Sequence, residues 1–170
     1  VKVKASFEHM GTFIVPGDPE QAGSKNGFAI HRGSKAKGNR EFTGRVAVVD
    51  TNEKNLKGWR AAVGEAVRPD GRPVLPEPLS GPLAVWFRFS IVRPRSVPKT
   101  RLWPSVRPDT TKYVRGTEDA CTDHGLWRDD ALIIWQSASK AYVGSHHPDG
   151  TPALDIPGCQ IDVYRLSSGS

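Results

Sequence analysis

The chain has 170 residues, a formal charge of +6 at pH 7 and 37% hydrophobic residues, enough apolar material for one cored domain and too short for two comfortable ones. No apolar run approaches the roughly 18 residues that cross a bilayer as a helix, and VKVKASFEHM lacks the apolar centre and cleavage pattern of a secretory signal, so the expected address is cytoplasmic. Cys121 and Cys159 stand without a CxxC pair or a histidine at zinc-finger spacing, which argues against a zinc site or disulfide framework and reads both as buried small apolar residues.

In chain order, residues 1–10 read as an N-terminal extension, with His9 and Met10 equally readable as a cloning scar. One domain is expected over 11–166, with a tail at 167–170. Residues 16–45, rich in Gly, Lys and Arg, predict a loop or loose hairpin, and Arg45 to Val49 make a short apolar run. Leu56, Trp59, Val63 and Val67 then recur at helical spacing, with Asp50, Thr51 or Asn52 as cap, Lys57 and Arg60 off the apolar stripe, and Pro69 as the stop. The prolines from 69 to 82 predict a stiff connector.

Residues 83–92, LAVWFRFSIV, alternate Val85, Phe87, Phe89 and Ile91 against Trp86, Arg88 and Ser90, the period of a strand with one face in the core. A proline-broken basic loop follows. From Asp109 the pattern turns helical: Tyr113, Val114, Thr117, Ala120 and Cys121 share one side, Asp109 or Thr110 is the expected cap, and Gly125 offers the stop. ALIIW, 131–135, predicts a buried strand running on through SASKAYV, and QIDVYRL predicts another after the turn at Pro157 and Gly158. The pair His146 and His147 reads as solvated turn residues rather than a metal pair. The expected fold class is α+β, a single domain of helices packed on a mixed sheet.

The charge is concentrated. From Arg88 to Arg115 the cations Arg88, Arg93, Arg95, Lys99, Arg101, Arg107, Lys112 and Arg115 face Asp109 alone, a local excess of seven in a chain that nets +6. Such a patch suits a polyanion, and Trp103 within it is placed either to stack on a base or to pack. Yet Asp109, Glu118, Asp119, Asp123, Asp129 and Asp130 gather in the same neighbourhood. Two carboxylates about 5 Å apart repel by roughly 3 kcal/mol at an effective dielectric of 20, so cations, protons or a metal must compensate them. Asp109 opens a helix and Asp130 opens the strand after it, so a strand, helix, strand unit is expected to bring both together. Oxygen ligands of this kind suit Mg²⁺ or Mn²⁺. Thr111, Arg115 and Glu118, spaced i, i+4 and i+7, share one helix face. Arg115 there either meets a phosphate or makes an ordinary ion pair with Glu118 or Asp119, and Asp129 and Asp130 are equally readable as a solvated turn.

RPDTTKYVRGTEDACTDHGLWRDDALI resembles the RusA family of Holliday junction resolvases, common in bacteriophages and prophages. Asp109 stands where that family has its first catalytic aspartate, Arg115 where it usually has a catalytic lysine, Asp119 and Ala120 at its helix pair, and Asp130 at its last aspartate. IVPGDP with GSK at 14–25, the LKGWR helix and the FRFSIVRP strand resemble the family more weakly. The resemblance implies a RusA-like nuclease domain over 11–166 and a homodimer that cuts symmetric strands of a four-way DNA junction with Mg²⁺ or Mn²⁺, in a bacterial cell. It also implies catalytic roles for Asp109, Asp130 and Arg115. Thr111 occupies the place of the family's second aspartate, and Glu118 is the expected substitute, giving Asp109, Asp130 and Glu118 as the metal set. Lys25, Arg32, Lys35, Lys37, Arg93, Arg95, Lys99, Arg101, Arg107 and Lys112 are the expected DNA contacts. Two other readings are a junction-binding module weakened or inactivated by Thr111, and a basic RNA-binding domain whose acids are surface decoration.

Overall fold

Alternating apolar residues on a central strand need a covering layer, and two amphipathic helices supply it. The computed structural model describes residues 5–23, 25–33, 37–50 and 52–168. Its strands are β1 (Ala5–Pro16), β2 (Lys25–Arg32), β3 (Glu41–Asp50), β4 (Leu83–Ile91), β5 (Ile133–Tyr142) and β6 (Gly158–Ser168); its helices are α1 (Glu53–Val67) and α2 (Thr110–Asp123). The main sheet has the order β1-β6-β4-β5, with β4 and β5 parallel and the other neighbours antiparallel. This is the expected α+β domain with a mixed sheet. No helix among the described residues is long and apolar enough to cross a membrane.

One face of the sheet is sealed. Val85, Phe87 and Phe89 of β4, Cys159, Ile161 and Val163 of β6, and Phe13 and Val15 of β1 form one cluster with Leu56, Trp59, Val63 and Val67 of α1 and Tyr113, Val114, Ala120 and Cys121 of α2. The residues expected to form each helix stripe are the buried ones. The helices are also joined by a hydrogen bond inside this core: Trp59 Nε1 donates to Thr117 Oγ1 at 3.0 Å, and that hydroxyl donates to Tyr113 O at 2.8 Å.

Among the described residues the other face carries no helix. Phe7, Trp86, Trp135 and Tyr164 touch one another there at ring separations of 4.4 to 6.4 Å. Beside them Arg88 pairs with buried Asp162 and, at 3.1 Å, with Asp149. Strands β2 and β3 form a separate antiparallel hairpin whose Phe28, Ile30, Phe42, Val46 and Val48 are exposed.

The structure corrects several expectations. Residues 5–10 belong to β1 and residues 167–168 to β6, paired from Ala5 to Ser168, so the sheet takes in part of the expected extension and tail. The strand over 133–142 is not buried: β5 has β4 as its single neighbour, which leaves Ile134 67% and Trp135 54% exposed. His147 is buried rather than solvated, because its loop folds back and places Nδ1 2.9 Å from Ser139 Oγ. Asn52 stands at the N-cap of α1 without a side-chain capping bond and instead donates to Gln21 O and Glu20 Oε2, tying the 17–23 segment to the helix start. Asp50 and Thr51, the alternative caps, fall on side chains outside those described.

Thr117→Val keeps the shape of the core but leaves the Trp59 N–H without its acceptor. It should lower stability by about 1–3 kcal/mol, read as a fall in the urea midpoint at unchanged slope.

Candidate active site

The β4, α2, β5 unit determines where the acids stand. After β4 the chain makes a loop over 92–109 that is braced from both ends. Arg93 donates to Pro98 O at 3.0 Å and Arg101 O at 2.7 Å, with its guanidinium 3.8 Å from the Tyr142 ring centroid. Lys140 of β5 donates to Val106 O at 2.5 Å and Pro108 O at 2.7 Å. Burial lowers the Lys140 pKa, and the neighbouring Asp109 charge partly restores it. Asp109 is thus held against β5 through the carbonyl that precedes it.

Asp109 occupies the N-cap position of α2, yet its side chain makes no capping hydrogen bond. Its backbone carbonyl accepts from the Lys112 and Tyr113 amides at 3.1 and 3.4 Å. The carbonyl thus opens the helical ladder, the expected side-chain cap does not form, and the exposed carboxylate is not spent on it.

Thr111, Arg115 and Glu118 do share a face, and that face opens on a cavity of about 640 Å³ completed by Ala22, Gly23, Lys112, Val114 and Gln136. The segment that brings Ala22 and Gly23 here is hydrogen-bonded to α2 through Ala22 N to Lys112 O, 3.0 Å. Gly116 eases this approach: a Cβ there would stand 3.0 Å from Leu56 Cδ1 and 3.3 Å from Ala22 N, so its neighbours would have to shift by a few tenths of an ångström. No carboxylate lies within ion-pair distance of Arg115 among the described residues. The alternative of an ordinary helix-surface pair is not what forms. Asp119 pairs instead with Arg60 of α1 at 3.1 Å, and Asp123 with the same guanidinium at 3.6 Å.

Asp129 and Asp130 divide the work of the turn before β5. Asp129 accepts the Ala131 amide at 2.8 Å and caps the short 3-10 turn Asp130–Leu132. Asp130, exposed, lines a second cavity of about 240 Å³ with Arg60, Asp119, Thr122, Asp123 and Asp129. Its charge reaches the first cavity: half-buried Glu118 is pushed up to about 7, first by burial, then by Asp130 and then by Asp119.

Of the acids expected as ligands, Asp130 is the one whose charge is felt at Glu118, although the two line different cavities. Asp109 stands at the helix start, about 13 Å of helix rise from Glu118, where its field is felt at Lys140. Among the described residues no group of three or more His, Cys, Asp and Glu side chains is placed to hold a metal ion. Of the expected DNA contacts, Arg32, Lys37, Arg95, Lys99, Arg101, Arg107 and Lys112 are exposed, while Arg93 is turned inward as a brace. The Lys25 side chain and Lys35 lie outside the described residues. Lys140 and Gln136 were not expected at the site. Both sit in a stretch, SASKAYV and the residue before it, whose sequence shows only a strand, and nothing in it marks which strand faces α2.

A family model described as Endodeoxyribonuclease RusA matches residues 33–149, which span β3 to β5, both helices and every acid of the site. No curated protein matches the chain.

Because Glu118 keeps its proton to a higher pH in the folded protein than the ordinary value of 4.5, the unfolded chain releases that proton first, and stability falls as pH rises from about 4.5 through about 7. Glu118→Gln removes this loss. Its urea midpoint should exceed that of the wild type at about pH 8 and match it near pH 4; an equal offset at both would contradict the assignment.

Proposed function

Because the chain belongs to the endodeoxyribonuclease RusA family, we propose that it is a divalent-metal-dependent endonuclease that resolves four-way DNA junctions, with Glu118 and Asp130 as the core of its cation site. The observation that carries this reading is the cavity that sets Glu118 beside Thr111 and Arg115, which makes no ion pair among the described residues, with the charge of Asp130 felt at Glu118. The donor set fits a hard cation: Mg²⁺ is commonly held by only one or two carboxylates, with waters and substrate phosphate oxygens completing its shell. When bound, such an ion polarises a phosphoryl oxygen and lowers the pKa of a water.

The chain's own residues do the rest. Arg115 and Lys112, on the cavity wall, place positive charge where a phosphodiester must sit, and Arg115 offers planar paired donors to its oxygens. Asp109, two residues ahead of Thr111 and free of capping duty, is a further carboxylate at the start of the same helix that would serve the reaction from the phosphate side, beside Lys112, rather than as a ligand with Glu118. Thr111 supplies a neutral hydroxyl in the place of an acid, and Glu118 replaces the missing charge. Arg95, Lys99, Arg101 and Arg107 on one loop, with Arg32 and Lys37 on the hairpin, grip DNA arms by backbone charge.

A four-way junction has two-fold symmetry and needs paired cuts, so the working form is a homodimer. The uncovered aromatic face of Phe7, Trp86, Trp135 and Tyr164 is apolar surface of the kind that a second copy covers.

A second reading, a junction-binding module without cutting activity, is favoured by Thr111 and by the absence of a three-carboxylate group among the described residues. A synthetic four-way junction with Mg²⁺ or Mn²⁺ separates the two. The wild type should make symmetric nicks; tight binding with no cutting under either ion supports the module. Asp130→Asn and Asp109→Asn should each reduce cutting on the order of 100-fold or more while junction affinity is retained or improved, since a charge that repels phosphate is gone. Weakened binding in both variants would mean that the acids are structural.

A further inference from the structure

An exposed tryptophan on a strongly basic loop is placed to meet a flat apolar base, and here the surrounding chain holds one out. Trp103 is 50% exposed and its neighbour Leu102 62% exposed, in the loop that joins β4 to α2. This loop is not loosely attached. The Arg93 guanidinium clamps Pro98 and Arg101 just ahead of the pair. Pro104, immediately after it, is fully buried. Ser105 N donates to Trp103 O at 3.0 Å, and Lys140 fastens Val106 and Pro108 beyond. The indole is therefore presented from a fixed base, six residues ahead of Asp109.

The charge around it selects the occupant. Arg95, Lys99, Arg101 and Arg107 are all exposed on the same loop, and no acidic residue occurs from Arg88 to Pro108. A protein surface or a second copy that met this loop would have to neutralise four cations without help from it, whereas a nucleic acid brings phosphates and flat apolar bases together. The aromatic patch on the open sheet face differs on this count, because its rings already contact one another.

We propose that Trp103 reads the branch point, stacking on a base left without a stacking partner where the arms diverge, while the loop's cations hold the flanking phosphates. This rests on the branched-DNA reading above and adds the means of telling a junction from a duplex. In continuous B-form DNA both faces of each base are covered by neighbours, so the indole gains nothing there. At an opened branch point a base face is free, and stacking on it adds to a charge attraction that every DNA form shares. Leu102 widens the apolar contact.

The test compares wild type, Trp103→Ala and Trp103→Phe in EDTA, so that no strand is cut, on a four-way junction and a linear duplex of the same arm sequence. Trp103→Ala should lose about 10-fold in junction affinity with duplex affinity unchanged, Trp103→Phe should keep most of the preference, and junction-induced quenching of tryptophan emission should shrink in Trp103→Phe. Equal losses on junction and duplex, or unchanged junction affinity and quenching, would overturn the role of Trp103. Equal binding of the two DNAs by the wild type would instead overturn the branched-DNA reading itself.

Discussion

A half-buried carboxylate near other acids raises the free energy of the fold unless a proton or a cation intervenes, and Glu118 is held in that position by its burial and by the charges of Asp130 and Asp119. The rest of the site can be understood from this constraint. Asp119 and Asp123, on the same helix, are neutralised by Arg60 reaching over from α1. Asp129 is spent on a backbone amide. Glu118, on the wall of the Arg115 cavity, and Asp130, in the second cavity, make no ion pair among the described residues.

The scaffold that imposes this is the parallel β4, α2, β5 crossover. A helix packed through Tyr113, Val114, Thr117 and Ala120 must turn Thr111, Arg115 and Glu118 away from the core. The turn capped by Asp129 then places Asp130 beside Asp119, Thr122 and Asp123 of α2 as β5 begins. At the other end, Lys140 bonds the backbone ahead of Asp109 and so fixes the start of the same helix to the same strand. One rigid unit thus spaces all the chemistry-bearing side chains, and the basic loop that precedes it is braced by Arg93 against Tyr142. The basic loop and the acids are adjacent because they occupy consecutive stretches of one crossover.

Much of this was legible from residue order. The helical stripes of α1 and α2 and the alternation of β4 depend on local periodicity, and the buried residues are those the periodicity names. The shared face of Thr111, Arg115 and Glu118 followed from spacing alone. What spacing does not carry is the partner across a gap in sequence: that Asp130 borders Asp119, Thr122 and Asp123 of α2 depends on how far back along the helix the 124–130 turn returns. Strand β1 was missed because VKASFEHMGTF has no clean alternation and owes its place to pairing with β6, some 150 residues away along most of its length. The apolar run that opens β5 reads as buried in sequence, yet as an edge strand it keeps one flank open. Lys140 and Gln136 gain their meaning from that edge position, which no local pattern encodes.

The most direct measurement is binding of Mn²⁺ to the DNA-free protein at about pH 8, followed by electron paramagnetic resonance or calorimetry, for wild type, Glu118→Gln and Asp130→Asn. One ion held by the wild type and lost in both variants is the result expected if these carboxylates form the cation site. Undiminished binding in both variants would contradict it and move the ion, and with it the chemistry, elsewhere in the fold.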